Sequence, residues 1–414
     1  MSNEARNLHY SLNYLMEEKC MNVKVLGTTH VGYLLAKEEA LDFGGKAAGV
    51  CYMPSDFETL MNEPKEKTLA RVNDTLKSGH HSVYDHVSYN LLFESIPKIL
   101  AMVLNNEGIY TTSEKSARYT QMKPSEEELF LYNKWNDIFK GLITEKYFEK
   151  YLAYFEGNEK RASNAVKKLA QENARYMISV FTPTTMIYSV SFRQINYIVS
   201  FLEEFIETAE ATSFNQKLKE AMLEFIEKLP AEIKEPLLTA SEKGRKISLF
   251  DSRVERKEEF SENYCTTYKG TFAELAQAQR HRTLDYKMRF LPEAEFYVPE
   301  ILKENDELSK EWTKDITSIA HVYPQGMLVS IRERGTYEKF ILKCYERLCG
   351  CAQLEIALQT KKTLDNYLEQ TKETNEEVYK ELEKISKGAR CTFPCFKCNK
   401  RCVWGAKEAL TRKI

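Results

Sequence analysis

The stretch AQAQRHRTLDYKMRF (276–290) sets Arg280, His281 and Arg282 side by side, with Gln277 one helical turn upstream. Guanidinium groups stay charged at any working pH and bind oxyanions through a planar fork. The cluster therefore suits a small anionic ligand, although a lone triplet of this kind is more often a charged helix end on the surface. A second group, GHHSVYDH (79–86), holds His80, His81 and His86. Three imidazoles so close could serve zinc, but adjacent histidines point different ways and no carboxylate spacing completes that site. A third, CTFPCFKCNKRCVWG (391–405), spaces Cys391, Cys395, Cys398 and Cys402 as C-x3-C-x2-C-x3-C. Four thiolates at that density fit zinc or an iron–sulfur cluster, and one metal centre is expected there. The alternative is an unliganded cysteine-rich tail.

The whole chain narrows the setting. Its 414 residues suggest roughly two domains. With 43% hydrophobic and 29% charged residues it has the composition of a soluble globular protein. The 59 basic and 61 acidic side chains give a formal charge of −2, which argues against a broad basic surface for a nucleic-acid polymer. A local arginine cluster remains compatible with one small anion. No apolar run reaches the roughly 18 residues needed to span a bilayer, and MSNEARNLHY lacks the basic and apolar regions of a signal peptide. Ten cysteines without such a signal point to a reducing compartment. A cytoplasmic location away from membranes is expected.

The elements that must position these clusters come twice. NVKVLGTTHVG (22–32) reads as a strand, FGGKAAGVCYMP (43–54) as a small-residue turn with a short helix, and 64–78 as a helix ending at Gly79. The stretch up to 97 alternates like a strand, and a helix runs from there to about Asn106. Charged, aromatic-rich helices fill much of 125–240. Strand-then-helix order restarts at YCTTYKG and TFAELAQAQRHR, the latter opened by a Thr N-cap with Glu274 in capping-box position. Helical pattern resumes from 304 to about 388. The expected fold class is α+β, as two tandem domains, each a small sheet with long helices. The expected boundaries are 1–240, 241–385 and a cysteine-rich tail at 386–414, with the break near 239–246.

Seen in this order, the motifs resemble those of the flavin-dependent thymidylate synthases, twice over. In the first half, GHHSVYDH is similar to that family's flavin segment, SEKSARYTQM (113–122) to the end of its signature, and SFRQINYIVSFL (191–202) to its Asn-Ala-Arg helix. In the second, QAQRHR (277–282) matches the start of the signature, while VYPQGM (322–327) and YERLCGCAQLEI (345–356) match its last long helix. The likeness covers roughly 20–370. Each half lacks what the other keeps: Asn106, Glu107 and Gly108 stand for Arg-His-Arg in the first, and RVERKEEF and KMRF replace the flavin segment and Ser-x-Arg-Tyr in the second.

The resemblance implies reductive methylation of dUMP to dTMP, with FAD, methylenetetrahydrofolate and NADPH. It implies a substrate set of Glu114, Ser116, Arg118, Gln277, Arg280 and Arg347. Arg347 would be the catalytic cation that stabilises the pyrimidine anion. It implies flavin contacts from His80, Ser82, Asp85, Arg193, Arg280, His281 and Arg282, although Val83 replaces a Pro, Asp85 a Glu and Ser191 an Asn. A site shared between repeats follows, as does a homodimer with four repeats in total. The alternatives are a related pyrimidine-nucleotide C5 methyl- or hydroxymethyltransferase and a non-catalytic nucleotide-binding paralogue.

Overall fold

The structure is a computed structural model, and it describes residues 21–28, 37–78, 80–116, 124–234, 247–250, 263–281, 284–394, 396–398 and 401–414. In chain order its strands are β1 (Asn22–Thr28), β2 (Ser88–Pro97), β3 (Tyr110–Glu114), β4 (Pro183–Ser191), β5 (Asn263–Thr271), β6 (Asp285–Phe290) and β7 (Leu328–Thr336). The helices used below are α1 (Lys37–Tyr52), α2 (Lys65–Lys77), α3 (Lys98–Leu104), α4 (Glu126–Tyr154), α5 (Glu159–Ala174), α6 (Phe192–Thr208), α7 (Ser213–Lys228), α8 (Phe272–Ala278), α9 (Asp306–Ser318), α10 (Tyr337–Arg347), α11 (Leu354–Thr374) and α12 (Glu376–Ser386). The fold class is α+β.

Two antiparallel sheets carry the repeat. The first has strand order β1-β2-β4-β3 and the second β5-β7-β6. In both, the first strand of the shared set (β2, β5) runs straight into a helix (α3, α8), and so does the central strand (β4 into α6, β7 into α10). The tandem pattern read from sequence is thus repeated in strand order. One element departs from expectation: 328–336 is the central strand of its sheet, not part of a helical stretch. Its inward positions are Val329, Ile331 and Glu333, so a buried carboxylate interrupts the apolar alternation that would have announced a strand.

A second departure lies in FGGKAAG, which is inside α1 and forms no turn. A Cβ on Gly44 would fall 2.5 Å from the Tyr84 ring, and one on Gly45 2.6 Å from Val72 of α2. The glycines serve close helix packing here, which outweighs their poor helix propensity.

The chain forms two compact units that interleave along the sequence. The first comprises Met1–Pro97, Ile109–Glu114 and Pro183–Arg245. Its core sets Phe93 of β2 against Tyr188 of β4 and Phe225 of α7, at ring distances of 5.7 and 5.1 Å. The second comprises Lys98–Gly108, Lys115–Thr182 and Lys246–Ile414. Trp135 and Phe139 of α4 meet Trp312 of α9 edge to face at 4.9 and 5.5 Å. The C-terminal tail belongs to this core: Trp404 packs edge-on to Tyr147 and Tyr151, and Ile414 is buried. The boundary expected near 239–246 lies outside the described residues.

Candidate active site

In the second unit the start of α8 is held by another helix. Thr271 caps α8 by accepting the Glu274 N–H at 3.0 Å. The expected reciprocal arm from Glu274 is replaced by Glu355, at the start of α11. Glu355 accepts the Thr271 N–H at 3.1 Å and its hydroxyl at 2.9 Å, leaving Glu274 to fill the sheet's interior, 1% exposed. Burial raises the pKa of both carboxyls, Glu274 well above the usual range. Tyr176 donates to Glu355 at 2.8 Å, Gln353 donates to Tyr176, and Arg175 donates to Gln353. Gln353 and Glu355, two residues of the last-helix motif, therefore orient the helix that bears Gln277.

Gln277 and Arg347 come together. Arg347, the last residue of α10 and 5% exposed, donates from its guanidinium to the Gln277 carbonyl. Gln277 is 7% exposed, and its side-chain Oε1 has no partner among the described residues. Arg280 follows, half-buried, on the helical turn that continues α8. The side chain of His281 and the whole of Arg282 lie outside the described residues. At the corresponding place in the first repeat, Asn106 donates to the Ser248 hydroxyl at 2.7 Å and to the Tyr286 carbonyl at 2.9 Å. Glu107 accepts from the Ser248 N–H and hydroxyl at 2.5 and 2.8 Å. The polar groups of Asn106 and Glu107 are thus engaged by neighbouring segments of the chain.

In the first unit the flavin-like segment meets the helix that its resemblance pairs it with. Asp85 accepts from the Ser191 hydroxyl at 2.7 Å and forms an ion pair with Arg193. Ser191 also caps α6 through the Gln194 N–H at 3.1 Å. The Arg193 guanidinium lies 5.9 Å from the Tyr197 ring centre, and its Nε–H, buried, has no partner among the described residues. His80 is half-buried and Ser82 exposed. The deeply buried histidine is His81, whose Nδ1 meets the Tyr197 hydroxyl at 2.9 Å and whose Nε2 donates to the Leu76 carbonyl at 3.3 Å. With both ring nitrogens of His81 engaged and His86 exposed, a zinc ion on these three imidazoles has no support. Glu114 ends β3, 8% exposed, and Ser116 is half-buried. Arg118 lies outside the described residues.

Of the four tail cysteines, the structure describes three. Cys395 lies outside the described residues, Cys391 and Cys398 are exposed, and Cys402 is half-buried. Among the described residues no group of three or more His, Cys, Asp or Glu is placed to hold a metal ion. The tail folds back onto the α10–α11 segment, where a Cβ on Gly350 would lie 2.7 Å from the Cys402 Sγ. Hydrogen bonding from Cys351 pulls the Cys402 thiol down to about 5 and that of Cys349 to about 6. The sequence also concealed a buried ion pair, Lys343 with Glu333, at 2.5 Å and exposures of 2% and 0%. Tyr268 donates to the same carboxylate at 3.1 Å, and Tyr264 does so too. Among the described residues no helix is long and apolar enough to cross a membrane.

Residues 34–230 match the family model described as thymidylate synthase complementing protein. A curated relative, the flavin-dependent thymidylate synthase of Clostridium tetani, is 26% identical over 161 residues, which are 36% of this chain. The chain spans 64% of that relative's length. Solved structures include thymidylate synthase X from Helicobacter pylori with FAD and dUMP, at TM-score 0.28 and 20% identity, covering 51% of this chain and 94% of the other. A UMP/dUMP methylase, PolB from Streptomyces cacaoi, bound with 5-Br dUMP, is similar at TM-score 0.29 and 13% identity, over 50% of this chain and 88% of the other. Residues 34–230 are thus similar to the thymidylate synthase complementing proteins, and part of the chain is similar to a flavin-dependent thymidylate synthase.

Proposed function

We propose that this protein methylates dUMP to dTMP reductively, using methylenetetrahydrofolate as carbon donor and NADPH as reductant, with FAD bound. The observation that carries the reading is the pairing of Arg347 with Gln277, the Gln277 side-chain oxygen being buried and without a partner. A buried acceptor in that condition costs free energy unless a ligand N–H meets it, and the N3–H of a uracil edge is such a donor. Arg347 beside it holds a fixed positive charge where the pyrimidine ring would gain electron density, making C5 nucleophilic. Arg280 would clamp the phosphate.

The residues of the first unit fit a flavin. The orphaned, buried Nε–H of Arg193 is a donor awaiting an acceptor, and its ion pair with Asp85 fixes where that donor points. His80 and Ser82 stand at the accessible edge of the same segment. FAD, once reduced, supplies the hydride of the overall reaction; the chain's residues bind it, orient it and keep its neighbourhood dry.

The reciprocal loss of motifs between the halves supports one productive site, built from Glu114, Ser116 and Arg118 of one repeat and Gln277, Arg280 and Arg347 of the other, in a homodimer. Titration of FAD-loaded protein with dUMP in a calorimeter tests this. One dUMP per chain is expected, with binding weakened by Arg280→Ala and Arg118→Ala alike. Two equivalent sites per chain, or a normal Arg118→Ala variant, would overturn it.

A further inference from the structure

The turn after α3 and the β6–β7 pair enclose a cavity of about 240 Å³ that none of Gln277, Arg280 and Arg347 lines. The residues named around it belong to one compact unit. One wall is the turn itself, Asn106, Glu107 and Gly108, with Ser248 beside it. Glu107, 6% exposed, accepts from the Ser248 N–H and hydroxyl. The Asn106 amide is engaged at both ends: it donates to Ser248 and to the Tyr286 carbonyl, and it accepts from Gln279 at 3.1 Å. Gly108 then turns the chain at φ 76°, a conformation that favours glycine.

The other wall is the outward face of the sheet. Tyr286 and Met288 of β6, and Ile331 and Glu333 of β7, are the buried positions. Strand alternation therefore sends Lys287, Arg332 and Arg334 to the opposite face, where all three line the cavity. Register sets Lys287 directly opposite Arg332, and Asp285 opposite Arg334. Side chains paired in this way have Cβ atoms about 4.5–5.5 Å apart, and like charges so placed destabilise the sheet. Among the described residues, Lys287 and Arg334 make no hydrogen bond or ion pair. Three cations thus face one carboxylate, Asp285, because the Glu107 carboxylate is already taken by Ser248. The arrangement costs stability unless an anion sits between the cations.

We propose that this cavity binds a phosphate monoester of a small sugar. Its phosphate bridges Lys287, Arg332 and Arg334, and a sugar hydroxyl donates to Asp285. Such a phosphate carries about −1.5 to −2 charges at neutral pH, and guanidinium forks match its oxygens. The cavity is larger than a bare phosphate ion needs. With the Asn106 amide fully engaged, the turn offers no free side-chain amide to read a base edge, so charge and hydroxyls carry the recognition.

Calorimetric titration of full-length protein with ribose 5-phosphate tests this. One site per chain is expected, weakened about ten-fold or more in Lys287→Gln and in Arg334→Gln, and retained in Arg280→Ala. Inorganic phosphate should bind the same site more weakly; equal affinity would overturn the sugar ester as ligand. Thermal melts give a second readout that does not depend on the heats. Without ligand, Lys287→Gln should melt no lower than the native protein, because the repulsion from Arg332 is gone. Ribose 5-phosphate should raise the melting temperature of the native protein and leave that of Lys287→Gln nearly unmoved. The proposal is overturned if native protein neither gives heat nor gains stability with ribose 5-phosphate. It is also overturned if binding is lost in Arg280→Ala but kept in Lys287→Gln, or if Lys287→Gln is the less stable protein without ligand.

Discussion

Gln277 holds two roles in one residue: its carbonyl takes the guanidinium of Arg347, while its buried side-chain oxygen stays without a partner. Arg347→Ala should therefore weaken dUMP binding by about 2–4 kcal/mol, the scale of a lost buried charge-assisted contact. Arg347→Lys keeps the charge without the fork and should recover only part of it; full recovery in calorimetry would show that charge alone matters. Lys343 makes a separate prediction. Removing it leaves Glu333 buried and uncompensated, so Lys343→Met should cost about 3–5 kcal/mol in urea unfolding, and adding Glu333→Gln should restore most of that. An additive double variant would contradict the pairing. At this scale the sequence was legible where chemistry is local and illegible where it depends on distant partners. Asp85 and Arg193 could be named from their motifs and do pair. That His81 rather than His80 would be buried, or that Cys402 would lie against Gly350, depends on contacts far apart along the chain.

Helix α8 shows how one element borrows its order from another. Thr271 caps it and is itself held by Glu355 from α11. Thr271→Ala should cost about 1–3 kcal/mol, through the lost cap and a poorly satisfied buried carboxylate, and should weaken dUMP binding because Gln277 loses its support. Thr271→Ser keeps the hydroxyl and should behave nearly as the native protein in the same thermal melts; equal losses in both variants would place the effect in the methyl group. The cap was readable from a Thr three residues before Glu274, but its reciprocal partner was not, since Glu355 lies on a remote helix. Likewise β7 escaped its own alternation because Glu333, neutralised by Lys343, occupies an inward place. The glycines of α1 looked like a turn because their reason, Tyr84 and Val72, is tertiary.

Across the whole molecule, β2-β4-β3 and β5-β7-β6 share one strand order, and each half carries motifs that the other lacks. The repeat was legible because strand-then-helix order recurs. The interleaved compact units were not, since they arise from which helices pack with which sheet. Nor was the burial of the tail, which seats Trp404 beside Tyr147 and Tyr151. The activity proposed for the molecule is methylation of the C5 of dUMP with a bound flavin. The direct measurement is release of tritium from C5-labelled dUMP by FAD-loaded, full-length protein. Release that requires both methylenetetrahydrofolate and NADPH, and is lost in Arg347→Ala, is the predicted result. FAD-loaded protein that binds dUMP yet releases no tritium under those conditions would contradict the claim and make the chain a nucleotide-binding paralogue.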